Sequence, residues 1–162
     1  MAKQSAGILL YRRKGTELEV LLVHPGGPFW TKKDLGAWSI PKGEYASGDD
    51  ALSAAKREFQ EETGFELQPG KLHFLAEVRL TSGKVITAWA IEGECDADAI
   101  HSNIFSLEWP PKSGKMRDFP EVDRAGWFTL EVATRKVHPA QRAFFSRLTQ
   151  FLRTQETSQP TA

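Results

Sequence analysis

Short apolar runs broken by glycine and proline make up most of this chain, and only two segments have the spacing of an amphipathic helix. The runs are typical of β-strands: AGILLY (6–11), LEVLLVH (18–24), WSI (38–40), LHFLAEVRL (72–80), VITAWAIEG (85–93), NIFSLEW (103–109) and AGWFTL (125–130). Turn-forming segments, RRKGTE and TSGK, join two pairs of them into predicted hairpins. Strands interrupted by one helix and followed by another indicate an α+β fold with a mixed sheet, because a repeating βαβ fold would alternate regularly.

The first helix is predicted to begin after Asp50, a good N-cap residue. Leu52, Ala55 and Phe59 recur at i, i+3 and i+7 and form its apolar stripe. Gly64 is suited to the left-handed position that ends such a helix.

The second helix begins near Pro139, where Phe144, Leu148 and Phe151 fall on one face and are expected in the core. Between the last strands, residues 110–121 are polar and are predicted to be a long loop. No linker divides the chain, so residues 1–155 are predicted to form a single domain, with 156–162 as a disordered tail.

Composition excludes several classes of protein. Lysine plus arginine equals aspartate plus glutamate, 21 each, so the overall charge does not favour a stable nucleic-acid partner. The single cysteine, Cys95, excludes an internal disulfide, which fits a reducing, cytoplasmic location. No run approaches the ~20 apolar residues of a membrane span. The oligomeric state, monomer or homodimer, stays open.

An unusual cluster of acid lies on the first helix. Glu58, Glu61 and Glu62 share one flank beside Arg57, although like charges at i, i+4 cost a few tenths of a kcal/mol. One interpretation is a solvated face with an ordinary Arg57–Glu61 pair. The other is a site for a hard cation such as Mg²⁺, which prefers carboxylate oxygens. The upstream Pro-Lys-Gly segment places a lysine near the start of the helix. It favours the second interpretation, because a cationic side chain and a helix N-terminus both suit a metal-bridged phosphate.

The segment from Gly43 to Phe65 resembles the Nudix box, which consists of Gly, five residues, Glu, seven residues, then Arg-Glu-aliphatic-x-Glu-Glu-x-Gly-aliphatic. The match covers all 23 positions of spacing, but Asp49 stands in place of the family's glutamate and phenylalanines occupy the aliphatic positions. The resemblance implies a Nudix fold, an α/β/α sandwich with a mixed central sheet. It also implies a metal-dependent pyrophosphohydrolase that cleaves a nucleoside diphosphate linked to another group.

The resemblance also suggests roles for single residues. Glu58 and Glu62 look like the principal ligands of Mg²⁺ or Mn²⁺, with Glu61 alongside and the Gly43 carbonyl as a further ligand. Arg57 would hold a carboxylate in position. Family members differ in which acid is the general base, so Glu58, Glu61 and an acid outside the box, Glu121, are all candidates. For Glu121, an ion pair with Arg124 is an equally good interpretation.

Substrate-binding residues are less constrained by the sequence. Lys42 could face the diphosphate, and Trp30 could stack on a base, while Lys112 and Lys115 could bind further phosphates. For each, a structural role or a solvated charge is the alternative. The segment WSIPKG is faintly similar to the corresponding segment of diadenosine polyphosphate hydrolases, which slightly favours a small nucleotide-type substrate.

A second hypothesis is a Nudix-fold module that binds or senses a nucleotide without cleaving it. Asp49 supports it, because its side chain is one methylene shorter than the family's glutamate. The loop position Ala46 also lacks an acid that many members carry. The complete set of Arg57, Glu58 and its neighbouring glutamates favours the enzyme.

Overall fold

A mixed sheet of six strands forms the centre of the protein, whose residues 3–158 are described here by a computed structural model. The strands of the sheet are β1 (Gln4–Lys14), β2 (Glu17–Pro25), β3 (Lys42–Glu44), β4 (His73–Arg79), β5 (Val85–Glu92) and β8 (Val122–Thr129). Two more strands, β6 (Ile104–Glu108) and β7 (Met116–Pro120), form a separate antiparallel pair. The helices are α1 (Ala51–Thr63), α2 (Leu130–Lys136) and α3 (Arg142–Ser158).

Strand β1 organises the sheet, whose order is β4-β5-β1-β2-β8. It runs parallel to β5 and antiparallel to β2 and β3. Strands β2 and β3 share one edge of β1, since β3 pairs with residues 5–7 and β2 with residues 11–14. This division places Gly43 of β3 opposite Ala6, at the point where α1 crosses the sheet.

The side chains of β1 alternate between two cores, as the period of a strand requires. Ala6, Ile8 and Leu10 pack in the cluster that contains Phe59 of α1. Leu9 and Tyr11 face the other way, into the cluster built with α2 and α3. Helices therefore cover both faces of a mixed sheet, which confirms the predicted α+β fold and the α/β/α sandwich.

Helix α1 has both predicted caps. The Asp50 carboxylate accepts a hydrogen bond from the Ser53 backbone N–H at 3.0 Å. Gly64 has a φ of 81° and donates its N–H to the Gln60 carbonyl at 2.7 Å. Within the predicted stripe, Ala55 and Phe59 are buried, whereas Leu52 is only half-buried.

The structure differs from the sequence predictions at three places. The predicted strand over residues 38–40 makes only isolated bridges, and the nearby strand β3 covers Lys42–Glu44. The predicted loop over residues 110–121 contains β7, whose residues Met116 to Asp118 are all exposed, so no apolar alternation marks the strand. Helix α2 has seven residues, too few to establish a helical period, although its N-cap Thr129 accepts a bond from the Val132 N–H at 3.4 Å.

The terminal helix follows its predicted pattern, with Phe144 and Leu148 fully buried. It continues to Ser158, into the segment 156–162 that was expected to be disordered, and residues 159–162 lie outside the described part of the chain. Across residues 3–158, no helix is both long enough and apolar enough to cross a bilayer.

Candidate functional site

The Glu58 carboxylate of α1 packs directly against Gly43 of β3. A Cβ atom at position 43 would lie 2.0 Å from Glu58 Oε2 and 2.1 Å from its Cδ. Glu58 is buried, with 9% of its surface exposed, so the carboxylate occupies the space that a side chain at residue 43 would fill. The glycine is therefore required by this contact, which places Gly43 and Glu58, two of the suggested metal ligands, side by side.

Arg57 lies on the exposed side of the same flank. Its guanidinium is 3.5 Å from Glu58 Oε1 and 4.0 Å from Glu61 Oε1, so the pair expected from i, i+4 spacing is present. Asp49 is exposed and is not among the ion-pair partners that Arg57 has within residues 3–158. The carboxylates that Arg57 is expected to hold in position are therefore two glutamates of its own helix.

Glu62 connects the acidic flank to β3. Its Oε1 accepts a hydrogen bond from the Lys42 backbone N–H at 3.3 Å. Burial raises the pKa of Glu62 above its usual range, against the opposing attraction of the Lys42 ammonium. Burial likewise lowers the pKa of Lys42. At the junction of α1 and β3, burial thus shifts both groups toward their neutral forms, while their mutual attraction opposes that shift.

The remaining carboxylates also have shifted pKa values. Burial and the charge of Glu61 raise the pKa of Glu58, although Arg57 opposes this. Burial and the charge of Glu61 raise the pKa of Glu121 as well. A cation bound among such groups would replace their protons and favour their charged forms.

The donor set fits a hard divalent cation, because it consists of carboxylate oxygens with a backbone carbonyl beside them. Among residues 3–158, however, no three His, Cys, Asp or Glu side chains converge closely enough to hold an ion. Glu58, Glu61 and Glu62 would have to rotate toward a common point when a cation binds.

A cavity of about 230 Å³ opens beside this flank. Its polar and aromatic lining residues are Trp30, Trp38, Ser39, Lys42, Glu62, Lys84, Glu121, His138 and Gln141. Glu62 is the member that also belongs to the acidic flank of α1. The cavity therefore offers aromatic surface and two lysines next to the carboxylates.

The structure separates the predicted substrate-binding residues into two groups. Lys42 and Trp30 line the cavity. Lys112 and Lys115 lie in the exposed β6–β7 turn and are not part of its lining. That turn is nevertheless near the Trp30 segment, because the Trp109 ring packs edge-on against Phe29 at 5.3 Å between centroids.

Glu121 lines the cavity too, at the bend between β7 and β8. The alternative interpretation of this residue, an ion pair with Arg124, is not among the salt bridges of residues 3–158. The Arg124 guanidinium instead lies 5.3 Å from the centroid of the Trp38 ring. Glu121 therefore lines the cavity without this ion pair.

Lys84 is a cavity residue that sequence reasoning missed. It follows the β4–β5 turn, and its ammonium pairs with Glu44 at 3.2 Å. Gln141, another lining residue, is buried. Its side chain accepts a hydrogen bond from the Ile40 N–H at 3.0 Å and donates one to Ser39 Oγ at 2.9 Å. A lysine in a Ser-Gly turn carries no motif, so only the sheet order could have identified Lys84.

Comparisons with known proteins agree with this architecture. A model of the NUDIX domain family matches residues 1–148. A Caenorhabditis elegans Ap4A hydrolase in a binary complex is 20% identical, with 94% of this chain and 99% of that chain covered and a TM-score of 0.66. The NUDIX domain of Shewanella oneidensis NrtR, complexed with ADP ribose, is 17% identical, with coverages of 94% and 89% and a TM-score of 0.63. A MutT protein from Methanosarcina mazei is 20% identical, with coverages of 98% and 96% and a TM-score of 0.57. At these identities the three structures show a shared fold.

Proposed function

This chain belongs to the Nudix domain family and is a hydrolase of phosphorus-containing acid anhydrides, and we propose that it is a divalent-cation-dependent pyrophosphohydrolase with a small nucleotide-type substrate. Nudix hydrolases generally need divalent metal ions. Either Mg²⁺ or Mn²⁺ suits the carboxylates of α1.

The observation that carries the proposal is the position of Glu62. It belongs to the acidic flank of α1 and also lines the cavity beside Lys42. A diphosphate in the cavity would therefore lie between the lysine and the carboxylate flank. A cation held by Glu62 and its neighbouring carboxylates would neutralise phosphate charge there.

Several groups of the chain have distinct roles in this proposal. Glu58, Glu61 and Glu62, with the Gly43 carbonyl, would hold the cation, which when bound supplies charge neutralisation of the phosphates and a more acidic water. Arg57 keeps Glu58 and Glu61 on one side of the helix. Lys42 and Lys84 bind phosphate oxygens at the cavity wall. Water then attacks one phosphorus atom and the other phosphate-containing group leaves.

Three carboxylates are candidates for the group that takes the proton from the attacking water. Glu58 and Glu61 belong to the box, and Glu121 faces the cavity from the β7–β8 bend. Burial raises the pKa of both Glu58 and Glu121, which brings each closer to the range suited to a general base.

The substrate class rests on the aromatic part of the cavity. Trp30, whose surface is 39% exposed, offers ring surface on the wall that also carries the two lysines, as a base attached to phosphates requires. The similarity to an Ap4A hydrolase and to a domain complexed with ADP ribose supports a nucleoside attached to two or more phosphates.

The test is a substrate panel with Mg²⁺ or Mn²⁺ that covers dinucleoside polyphosphates, nucleoside triphosphates, ADP-ribose, nucleotide sugars and dinucleotide coenzymes. At least one substrate should release a nucleoside phosphate, and Glu62→Gln should reduce kcat/KM by more than the ~100-fold that loss of an outer-shell group of a metal site typically causes. The substitution keeps an oxygen that can accept the Lys42 N–H bond, so the fold should survive.

Glu66→Gln is the matched control, since Glu66 is an exposed glutamate just beyond α1. It should leave kcat/KM unchanged. Unchanged turnover in Glu62→Gln would contradict the site assignment. Nucleotide binding with no product from any member of the panel would instead support a non-catalytic nucleotide-binding module.

A further inference from the structure

His24, near the end of β2, is fully buried and has both ring nitrogens engaged. Its Nδ1 lies 2.8 Å from Asp123 Oδ1 of β8, and its Nε2 lies 2.6 Å from the backbone carbonyl oxygen of Lys33. The ring also packs edge-on against Trp38, with 5.2 Å between centroids. No role in the proposed reaction uses this residue.

The two partners of the ring are both hydrogen-bond acceptors. A neutral imidazole has one N–H, so it can satisfy only one of them, whereas an imidazolium donates to both. Asp123 has 32% of its side chain exposed and accepts the Nδ1 bond as a carboxylate, which balances the charge of the ring. The geometry thus corresponds to a doubly protonated His24.

The Lys33 carbonyl belongs to the segment between β2 and Trp38, residues 26–37, which we call the Trp30 loop. Within this loop the Lys33 N–H donates to the Trp30 carbonyl at 2.9 Å, and the Lys33 ammonium lies 4.9 Å from the centroid of the Trp30 ring. Trp30 in turn lines the cavity. The bond from His24 therefore holds the residue that contacts Trp30 through both its backbone and its side chain.

Other charged groups lie nearby but contact Trp38 and not the His24 ring. Asp34 accepts the Trp38 indole N–H at 2.8 Å, and the Lys136 ammonium lies 2.8 Å from the Asp34 carboxylate. Arg124 lies over the Trp38 ring, 5.3 Å from its centroid. These groups hold Asp34, the residue that follows Lys33, while His24 holds the Lys33 carbonyl itself.

We propose that His24 is a positioning residue, whose doubly protonated ring ties the Trp30 loop to Asp123 of the sheet and so keeps Trp30 at the cavity for substrate binding. The part that concerns substrate rests on the proposed function, whereas the tie itself is a property of the free protein. The ring supplies the donor of the Lys33 carbonyl, so its removal leaves that carbonyl without this bond and loosens the loop.

The first test needs no substrate. Nitrogen chemical shifts should show protons on both nitrogens of the His24 ring. Hydrogen exchange in the Trp30 loop should be faster in His24→Gln than in the wild type, because the bonds made by the ring are lost. A ring with a single proton, or equal exchange in the two proteins, would overturn the proposal.

Asp123→Asn provides the decisive variant. The amide can donate to Nδ1, so a neutral ring keeps its single N–H on Nε2 for the Lys33 carbonyl. The loop should therefore keep its wild-type protection from exchange in this variant, with a single ring proton at Nε2. A ring that carries both protons in Asp123→Asn would contradict the role of the Asp123–His24 pair.

The second test uses whichever substrate the panel identifies. His24→Gln should raise KM severalfold and leave kcat nearly unchanged, because Trp30 is displaced while the carboxylates of α1 are not. Asp123→Asn should keep the wild-type KM, and Lys32→Met, an exposed change in the same loop, should have no effect. An equal loss in kcat would show that His24 does not act by positioning Trp30. If no substrate is found, the exchange and nitrogen measurements still decide whether the tie exists.

Discussion

The acidic flank of α1 and the wall of the cavity meet at Glu62, yet the sequence encodes them in different ways. The flank lies within one helix of 13 residues, where about 100° of rotation per residue fixes which side chains are neighbours. The cavity wall is assembled from β2, the Trp30 loop, β3, α1, the β4–β5 turn, the β7–β8 bend and the segment before α3. Its members become neighbours only through the order of strands in the sheet.

This difference predicts which substitutions should act through chemistry and which through substrate binding. Groups on the flank hold and orient charge, so their loss should lower kcat. Groups on the cavity wall contact the part of the substrate that does not react, so their loss should mainly raise KM.

After Glu62 itself, the largest effect is expected at Gly43, against which the Glu58 carboxylate packs. In Gly43→Ala the new Cβ would overlap the Glu58 carboxylate, 2.0 Å from Oε2, so that side chain must rotate away. We expect a loss of roughly 10- to 100-fold in kcat/KM, comparable to losing a supporting group of a metal site. The fold should persist, because the displaced atoms are the end of a flexible side chain.

A double variant makes this prediction specific. Glu58→Asp shortens the side chain and leaves room for the alanine, so Gly43→Ala combined with Glu58→Asp should lose less activity than the two single losses multiplied. Strictly multiplicative losses, measured as kcat/KM with saturating Mg²⁺, would show that the glycine does not act through Glu58.

A smaller effect is expected at the cavity wall. Trp30→Ala removes an aromatic surface worth about 0.5–1.5 kcal/mol, so KM should rise about 2- to 12-fold with little change in kcat. Phe29→Ala is the control: Phe29 packs on Trp109 and is not part of the cavity lining. Equal increases in KM for both variants would indicate a general disturbance of the Trp30 loop and not a lost contact with substrate.

The same contrast explains how far the sequence could be interpreted. The caps of α1, at Asp50 and Gly64, are determined by the local sequence and were predictable. The contact between Gly43 and Glu58 follows from the packing of α1 on β3 and was not. Lys84 was not, because it reaches the cavity only through the pairing of β4 with β5 and of β5 with β1.

Expectations about the loops show where local interpretation fails. Only their charge indicates Lys112 and Lys115 as phosphate-binding residues, and the exposed turn that carries them is not part of the cavity lining. Strand β7 has no apolar alternation to indicate it, since it pairs with β6 and covers no core. Charge identifies a candidate phosphate ligand, but topology decides which charges face the cavity.

The smallest effect is expected at Asp49, the acid that is one methylene shorter than its counterpart in the Nudix box. Asp49 is exposed in the turn before α1, where its N–H donates to the Ala46 carbonyl at 3.0 Å. Arg57 already pairs with Glu58 and Glu61. An added exposed contact from residue 49 would be worth about 0–1 kcal/mol.

Asp49→Glu should therefore change kcat/KM by less than about fivefold at saturating Mg²⁺. Asp49→Asn, which removes the charge and keeps the length, should have an equally small effect. A large gain in the glutamate variant alone would mean that residue 49 reaches the acidic flank of α1 during turnover, and that this flank extends beyond the helix into the preceding turn.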